Sequence, residues 1–376
     1  SRKLAIFSLS SGKTFLWTIP LICSLLILLI PLNKLEMNPT QMYSEKYTSF
    51  GPDVLWLDKK LGASFPISFK ATSDNGSVSN PRFLEGLDSF SIWLEKQKEV
   101  THVTSLARTM KSLNKSMHGD DLKMKVIPED QVLSSQYLFF YEMSLPMGLD
   151  LNTSISQDRG STRIAATLRE MTSKEYLIFD EKVTKYLREN NLESTISKPA
   201  GFRVIFVYLM EAIVNSLLVG VTIGLALIIT VIGFFFRSAS FGFLSSFPNI
   251  LPIVSAFGIW AIIDGQIDFM VAVGMGSTLG IIVDFTVHLL SKYDLARQEL
   301  KKSPEDAVLF AFEAVGFALI AMTIILALGF SVLHLVSFLP MHNFAQFSIL
   351  AFVFALIIDF FLFPNLLVRF DKRKFD

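Results

Sequence analysis

The chain has 376 residues, of which 51% are apolar and 18% charged, with 34 basic and 34 acidic side chains, 35 phenylalanines and one cysteine. A soluble domain carries about 25% charged residues, so this deficit, with a mean hydropathy of +0.47, points to burial in a bilayer. Zero net charge leaves no basic field for nucleic acid, neither a P-loop nor a zinc-ligand spacing occurs, and a lone Cys23 cannot form an internal disulfide.

The first residue is Ser1 rather than Met, which reads as a fragment of a longer chain. Residues 1–32 hold a basic start, Arg2, Lys3 and Lys13, and then an apolar run from Thr14 to Leu32. A helix of about 20 apolar residues crosses a bilayer. The following PLNKLEMNP offers no small-residue cleavage site, so an uncleaved span is expected rather than a signal peptide.

Residues 33–202 are rich in both charges and read as a water-exposed domain. ISFKATS and STRIAATLREM have strand character, whereas PRFLEGLDSFSIWLEKQ, VTSLARTMKSLNKSM and SKEYLIFDEKVTKYLREN place apolar residues at helical spacing. That alternation predicts an α+β domain built from βαβ-type subdomains. The aromatic and methionine-rich QVLSSQYLFFYEMSLPMGLDL reads as core, or as the lining of a hydrophobic path. His102 and His118 have no cysteine beside them and no serine sits in a nucleophile elbow, so neither an enzyme nor a metal site is expected.

Residues 203–368 contain five further apolar runs, Ile205 to Phe236, Phe247 to Ile263, Phe269 to Leu290, Val315 to Phe338 and Phe344 to Val368. The fold class is therefore a polytopic helical membrane protein of six spans with an α+β domain outside the bilayer. Pro248, Pro252 and Gly258 predict a kink or a hinge in the third span. Residues 292–314 read as an amphipathic connector whose helix is capped by Ser303 and opened by Pro304, lying along the membrane face before the fifth span. Residues 369–376 form a basic tail. Basic residues are retained on the cytoplasmic side. Arg2, Lys3, Lys13, Arg237, Lys292, Arg297, Lys301, Lys302 and the tail thus place both termini in the cytoplasm and residues 33–202 on the far side.

In the fourth span Gly276, Gly280, Asp284 and His288 recur every four residues and form one drifting stripe. The glycines admit a neighbouring helix, and the acid then faces that neighbour. A mid-span carboxyl costs roughly 2.5–3.5 kcal/mol to insert, so Asp284 is a candidate proton carrier. His288 is a relay partner or an interfacial histidine. Thr323 and Asp359 lie at comparable depth in the fifth and sixth spans: Thr323 either assists the relay or bonds its own helix, and Asp359 either relays or packs.

The blocks FRSASFGFLSSFPNILPIV, GMGSTLGIIVDFTVHLLSKY, PEDAVLFAFEAVGFALIAMTIILALGF and FALIIDFFLFPNLL resemble, in order and spacing, the C-terminal half of a resistance-nodulation-division (RND) exporter of the MMPL-like, hydrophobe/amphiphile branch. The resemblance runs from Thr14 to Val368. It implies a proton-driven transporter in a bacterial inner membrane, with a periplasmic porter domain on each of two six-span halves. It implies no cofactor beyond the proton gradient, a lipid-like or amphiphilic substrate, and a missing N-terminal half or a second copy as partner. In relatives an acid of the middle helix relays protons with a hydroxyl on the next helix, positions matched by Asp284 and Thr323. Many relatives follow the acid with Tyr or a second Asp, where this chain has Phe285. A protein-secretion motor half and a sterol- or lipid-sensing membrane protein share the same plan of spans and remain as alternatives.

Overall fold

The computed structural model describes residues 2–36, 42, 49–61, 65–146 and 150–371. Met147, Gly148 and Leu149 of the aromatic stretch, and Lys372, Arg373 and Lys374 of the basic tail, lie outside the described residues. The chain divides into two compact units, with a boundary inside one helix between Tyr208 and Leu209.

The N-terminal segment is not one helix. It forms α1 (Arg2–Ser10), a turn at Ser11, and α2 (Gly12–Ile27), then a short strand β1 (Lys34–Leu35). Ala5 and Ser8 of α1 are fully buried, so this short helix is docked on the membrane unit.

The second unit contains α3 (Phe50–Leu61), β2 (Phe65–Thr72), α4 (Pro81–Glu95), β3 (Val100–Thr104), α5 (Leu106–Met117), α6 (Gln131–Ser144), β4 (Ser161–Leu168) and α7 (Ser173–Glu189). Its sheet has the order β2-β4-β3, with β4 antiparallel to both neighbours. The crossover through α4 therefore joins two mutually parallel strands with β4 inserted between them, a split βαβ arrangement. One three-stranded sheet is present among the described residues of this unit, where several βαβ subdomains were expected. In β2 the residues Phe65, Ile67, Phe69 and Ala71 are buried in strict alternation, and they meet Leu84, Leu87 and Phe90 of α4 and Phe179 and Val183 of α7. Both helices carry caps: Asn80 accepts from the Phe83 N–H, and Thr172 and Glu175 form a reciprocal capping box.

Only part of the aromatic stretch is core. Tyr137 and Leu138 are buried, whereas Phe139, Phe140 and Met143 of α6 are more than half exposed. A helix touching the core along one stripe leaves consecutive aromatics pointing outward.

The chain re-enters the membrane unit through α8 (Phe202–Phe235) and continues through α9 (Ala239–Ile263), a strand β5 (Gln266–Ile267) and α10 (Phe269–Gln298). It goes on through α11 (Pro304–Ala311), a π-turn (Phe312–Gly316), α12 (Phe317–Ser331), α13 (Leu339–Ile357), a second π-turn (Ile358–Leu362) and α14 (Phe363–Phe370). Among the described residues, six helical stretches are long and apolar enough to cross a membrane. The core is made by α9, α10 and the stretch Leu339–Phe370, whose apolar windows are 50%, 50% and 61% buried, against 6% for α8.

Ser303 caps α11 as expected, accepting from the Asp306 N–H at 3.1 Å. Within the stretch 292–314 the helices run further than the apolar runs alone. Its first part prolongs α10, and α11 runs through the π-turn straight into α12. Ala307, Val308 and Ala311 are buried against the bundle. The third span likewise stays helical through Pro248 and Pro252. At the opposite end Asp268 caps α10, accepting from the Met270 and Val271 N–H groups and from Asn343. Burial pushes the carboxyls of Asp268 and Asp264 above their ordinary range.

Candidate functional site

Two polar sites occupy opposite sides of α10. Residues 284 and 286 are two apart on a helix, a rotation of about 200°, so they cannot share a face.

The first site is the glycine stripe. Asp284 and His288 form an i,i+4 pair with Oδ1 and Nε2 3.4 Å apart, and their side chains are 51% and 54% exposed. A Cβ placed on Gly280 meets no atom within 4 Å, and one on Gly276 meets only Leu217 Cδ2, at 3.8 Å. The bundle of this chain therefore leaves Gly280, Asp284 and His288 open, while Leu217 of α8 reaches Gly276. Among the described residues no helix packs closely over Gly280.

The second site lies inside the bundle. Asp359 sits in the second π-turn and is fully buried, as are Thr286 of α10 and Asn249 of α9. Thr286 Oγ1 lies 3.2 Å from Asp359 Oδ1 and 3.2 Å from Asn249 Oδ1. Asp359 Oδ2 and Asn249 Nδ2 make no hydrogen bond. The π-turn is what aims Asp359 inward: an extra residue in one turn rotates the following side chains relative to a regular helix, and such turns recur at functional sites.

Thr323 joins neither site; its hydroxyl donates to the Leu319 carbonyl of its own helix at 2.9 Å. The predicted residues thus separate. Asp284 comes together with His288 on the open face, Asp359 with Thr286 in the core, and Thr323 stands apart. Sequence reading missed Asn249 and Thr286. Asn249 carried a signal, an amide between two prolines in an apolar span, whereas one threonine among apolar neighbours carries almost none.

Among the described residues no three His, Cys, Asp or Glu side chains gather to hold a metal ion. In the second unit, the start of α8 is tied down by polar contacts. Arg203 donates to the Met171 carbonyl and lies 3.8 Å from the Phe65 ring centroid, and Tyr208 donates to Asp180. The Tyr176 phenol beside them is pushed up by burial and by the Asp180 charge.

A described membrane protein of Methanocaldococcus jannaschii is 29% identical over 154 residues, which is 40% of this chain and 39% of that protein. The aligned stretch thus covers about two fifths of the relative's length. The profile of the MMPL family matches residues 83–374, which takes in most of the second unit and five of the six apolar helical stretches. With more than half its length matched, the chain belongs to the MMPL family.

Proposed function

We propose that this chain is one half of an RND-type exporter that moves lipid-like or amphiphilic molecules at the expense of the proton gradient. One observation carries the reading: an acid and an imidazole pair with each other on a glycine-flattened face that the chain itself leaves open. Polar groups on an uncovered helix face in a bilayer are costly, which favours a second six-span half, or a second copy, packed over Gly276 and Gly280. Once covered, Asp284 exchanges its proton with His288, the one other titratable group within reach on α10. Thr323 enters this path only by giving up its bond to Leu319, so we assign the exchange to Asp284 and His288. The basic residues beside the spans support cytoplasmic termini and a periplasmic position for residues 33–202. The exposed Phe139, Phe140 and Met143 suit a face that meets amphiphiles.

Asp284→Asn in the complete transporter is expected to abolish gradient-dependent export from proteoliposomes while leaving the amount of folded protein unchanged. Transport at the wild-type rate by that variant removes Asp284 from the coupling. Translocation of a preprotein in place of amphiphile efflux would transfer the chain to the secretion-motor reading.

A further inference from the structure

The sheet of the second unit has one face turned to the core and one open face. Phe69, Ala71, Ile164 and Ala166 are buried, so Lys70 and Arg163, which alternate with them, project to the other side and are exposed. These two cations stand directly opposite each other across β2 and β4. The backbone of Lys70 is engaged on the far side of β2: its N–H donates to Ser197 Oγ at 3.0 Å, and its carbonyl accepts from the Ser197 N–H. The Arg163 N–H likewise points away from β2 and donates to the Ser154 carbonyl. Lys70 and Arg163 are therefore a non-hydrogen-bonded pair, the kind whose side chains come closest together.

Like charges placed in this way destabilise a sheet. Neither residue forms an ion pair among the described residues, whereas Arg108, Arg159, Arg169, Arg188 and Arg203 of the same unit all do. The adjoining cross-strand pairs on the open face, Ser68 with Ala165 and Thr72 with Ser161, contain no acid. Asp158 is near enough to feel the Lys70 charge, but it makes no ion pair with it, and its Oδ1 accepts from the Ser156 hydroxyl and the Gly160 N–H.

The two cations also share a groove. A cavity of about 390 Å³ lies over β2 and β4, flanked by residues 152–156 on one side and by Ser197 and Ala200 on the other. None of its lining residues is acidic. The hydroxyls of Ser68 and Ser154 face no hydrogen-bonding partner among the described residues, so they are available as donors beside the charges. This combination selects among anions. A carboxylate has two oxygens and is filled by one guanidinium, whereas a phosphate keeps oxygens for the ammonium and the hydroxyls as well.

We propose that Lys70 and Arg163, with the hydroxyls of Ser68 and Ser154, bind a phosphate group on the open face of the sheet, carried by a lipid headgroup or as the free ion. The site lies wholly within the second unit. It goes beyond the exporter reading and is independent of proton exchange at Asp284. With a lipid as the carrier, the groove recognises the polar end of the amphiphile.

The test is calorimetric titration of the full chain, purified in a nonionic detergent, with inorganic phosphate, dioctanoyl phosphatidic acid and dioctanoylglycerol, which has the same tails and no phosphate. Saturable binding of a phosphate-bearing probe is expected. Lys70→Gln and Arg163→Gln are each expected to weaken it about tenfold or more, since each removes a charged hydrogen bond. Lys96→Gln, at the end of α4, is expected to leave it unchanged. Tighter binding of phosphatidic acid than of inorganic phosphate assigns the site to a headgroup; equal or tighter binding of inorganic phosphate assigns it to the free ion. No binding of either, or dioctanoylglycerol binding as tightly as phosphatidic acid, would overturn the proposal. Binding that survives both groove variants, or that falls equally with Lys96→Gln, would overturn it too. Without ligand, Lys70→Gln is expected to unfold at or above the wild-type temperature, because it relieves the opposed charges. A lower temperature would show that the chain already compensates the pair, and the phosphate would not be needed.

Discussion

Pro364 lacks an N–H, so α14 cannot bond the carbonyl of Phe360 in the ordinary helical way. Ser8 of α1 replaces that bond: its hydroxyl donates to Phe360 O at 2.7 Å, and Asn365 Nδ2 reaches back to the Ser8 carbonyl at 3.3 Å. A side chain near the N-terminus thereby satisfies a backbone group in the last span, one residue from Asp359. Ser8→Ala leaves that buried carbonyl unpaired and is expected to cost about 1–3 kcal/mol. Ser10→Ala, which removes only a bond to Phe7 of the same short helix, is expected to change stability by less than about 0.5 kcal/mol. Parallel denaturation of the two variants in detergent checks the contrast; equal losses would mean that Ser8 contributes nothing through Phe360. Gly258 follows the same close-approach logic, since a Cβ there falls 2.4 Å from the Leu26 carbonyl oxygen, so α2 and α9 meet backbone to backbone.

Among the elements, α7 shows how much a terminus contributes. Its capping box satisfies two backbone N–H groups that the helix cannot, and Thr172→Ala is expected to cost about 1 kcal/mol, read as faster amide exchange in the first turn of α7. The Thr172 backbone N–H, as the leading cause, holds the Glu175 carboxyl below its ordinary range, and the Ser156 hydroxyl does the same for Asp158. A carboxyl whose folded value is depressed stabilises the fold above its unfolded value, and that contribution disappears as the pH falls through the folded one. The second unit is therefore expected to lose stability as the pH drops below about 4, with Glu175→Gln flattening part of the slope. A pH series of unfolding curves for wild type and Glu175→Gln gives the answer. Identical slopes would show that the capping carboxylate plays no part. Both π-turns belong to this scale as well. One carries Asp359, the other includes Glu313, which pairs with Arg2 of α1 at 3.3 Å on the surface. The short N-terminal helix thus touches the two irregular stretches of the later spans.

At the scale of the whole molecule, the open face of α10 around Gly280 is the feature on which the proposed second half or second copy rests. Gly280→Leu tests it with little ambiguity, because the added side chain meets no atom of this chain at its Cβ position. The expected result is an unfolding temperature close to wild type for the isolated chain and a loss of transport in the assembled protein, since close helix approach over the glycines is blocked. Preserved transport in that variant would mean that no helix packs there.

Length and hydropathy by themselves pointed to six apolar spans with a charged stretch between the first and second, and six such helices occur among the described residues, because the cost of exposing polar backbone in a bilayer leaves few alternatives. Local chemistry was equally legible at Ser303, where a hydroxyl, a proline and two acids within four residues can do little but start a helix. The partition of polar residues between faces was not. The spacing of Gly276, Gly280, Asp284 and His288 showed that they share a stripe, but which neighbour covers it depends on how helices distant in sequence pack. Asp359 and Thr323 have similar depths, yet a π-turn buries one among α9 and α10 while the other bonds its own helix. Periodicity reports the angle of a residue around its own helix; only tertiary packing decides what stands opposite it, which is why Asn249 and Thr286 became visible beside Asp359 only in three dimensions.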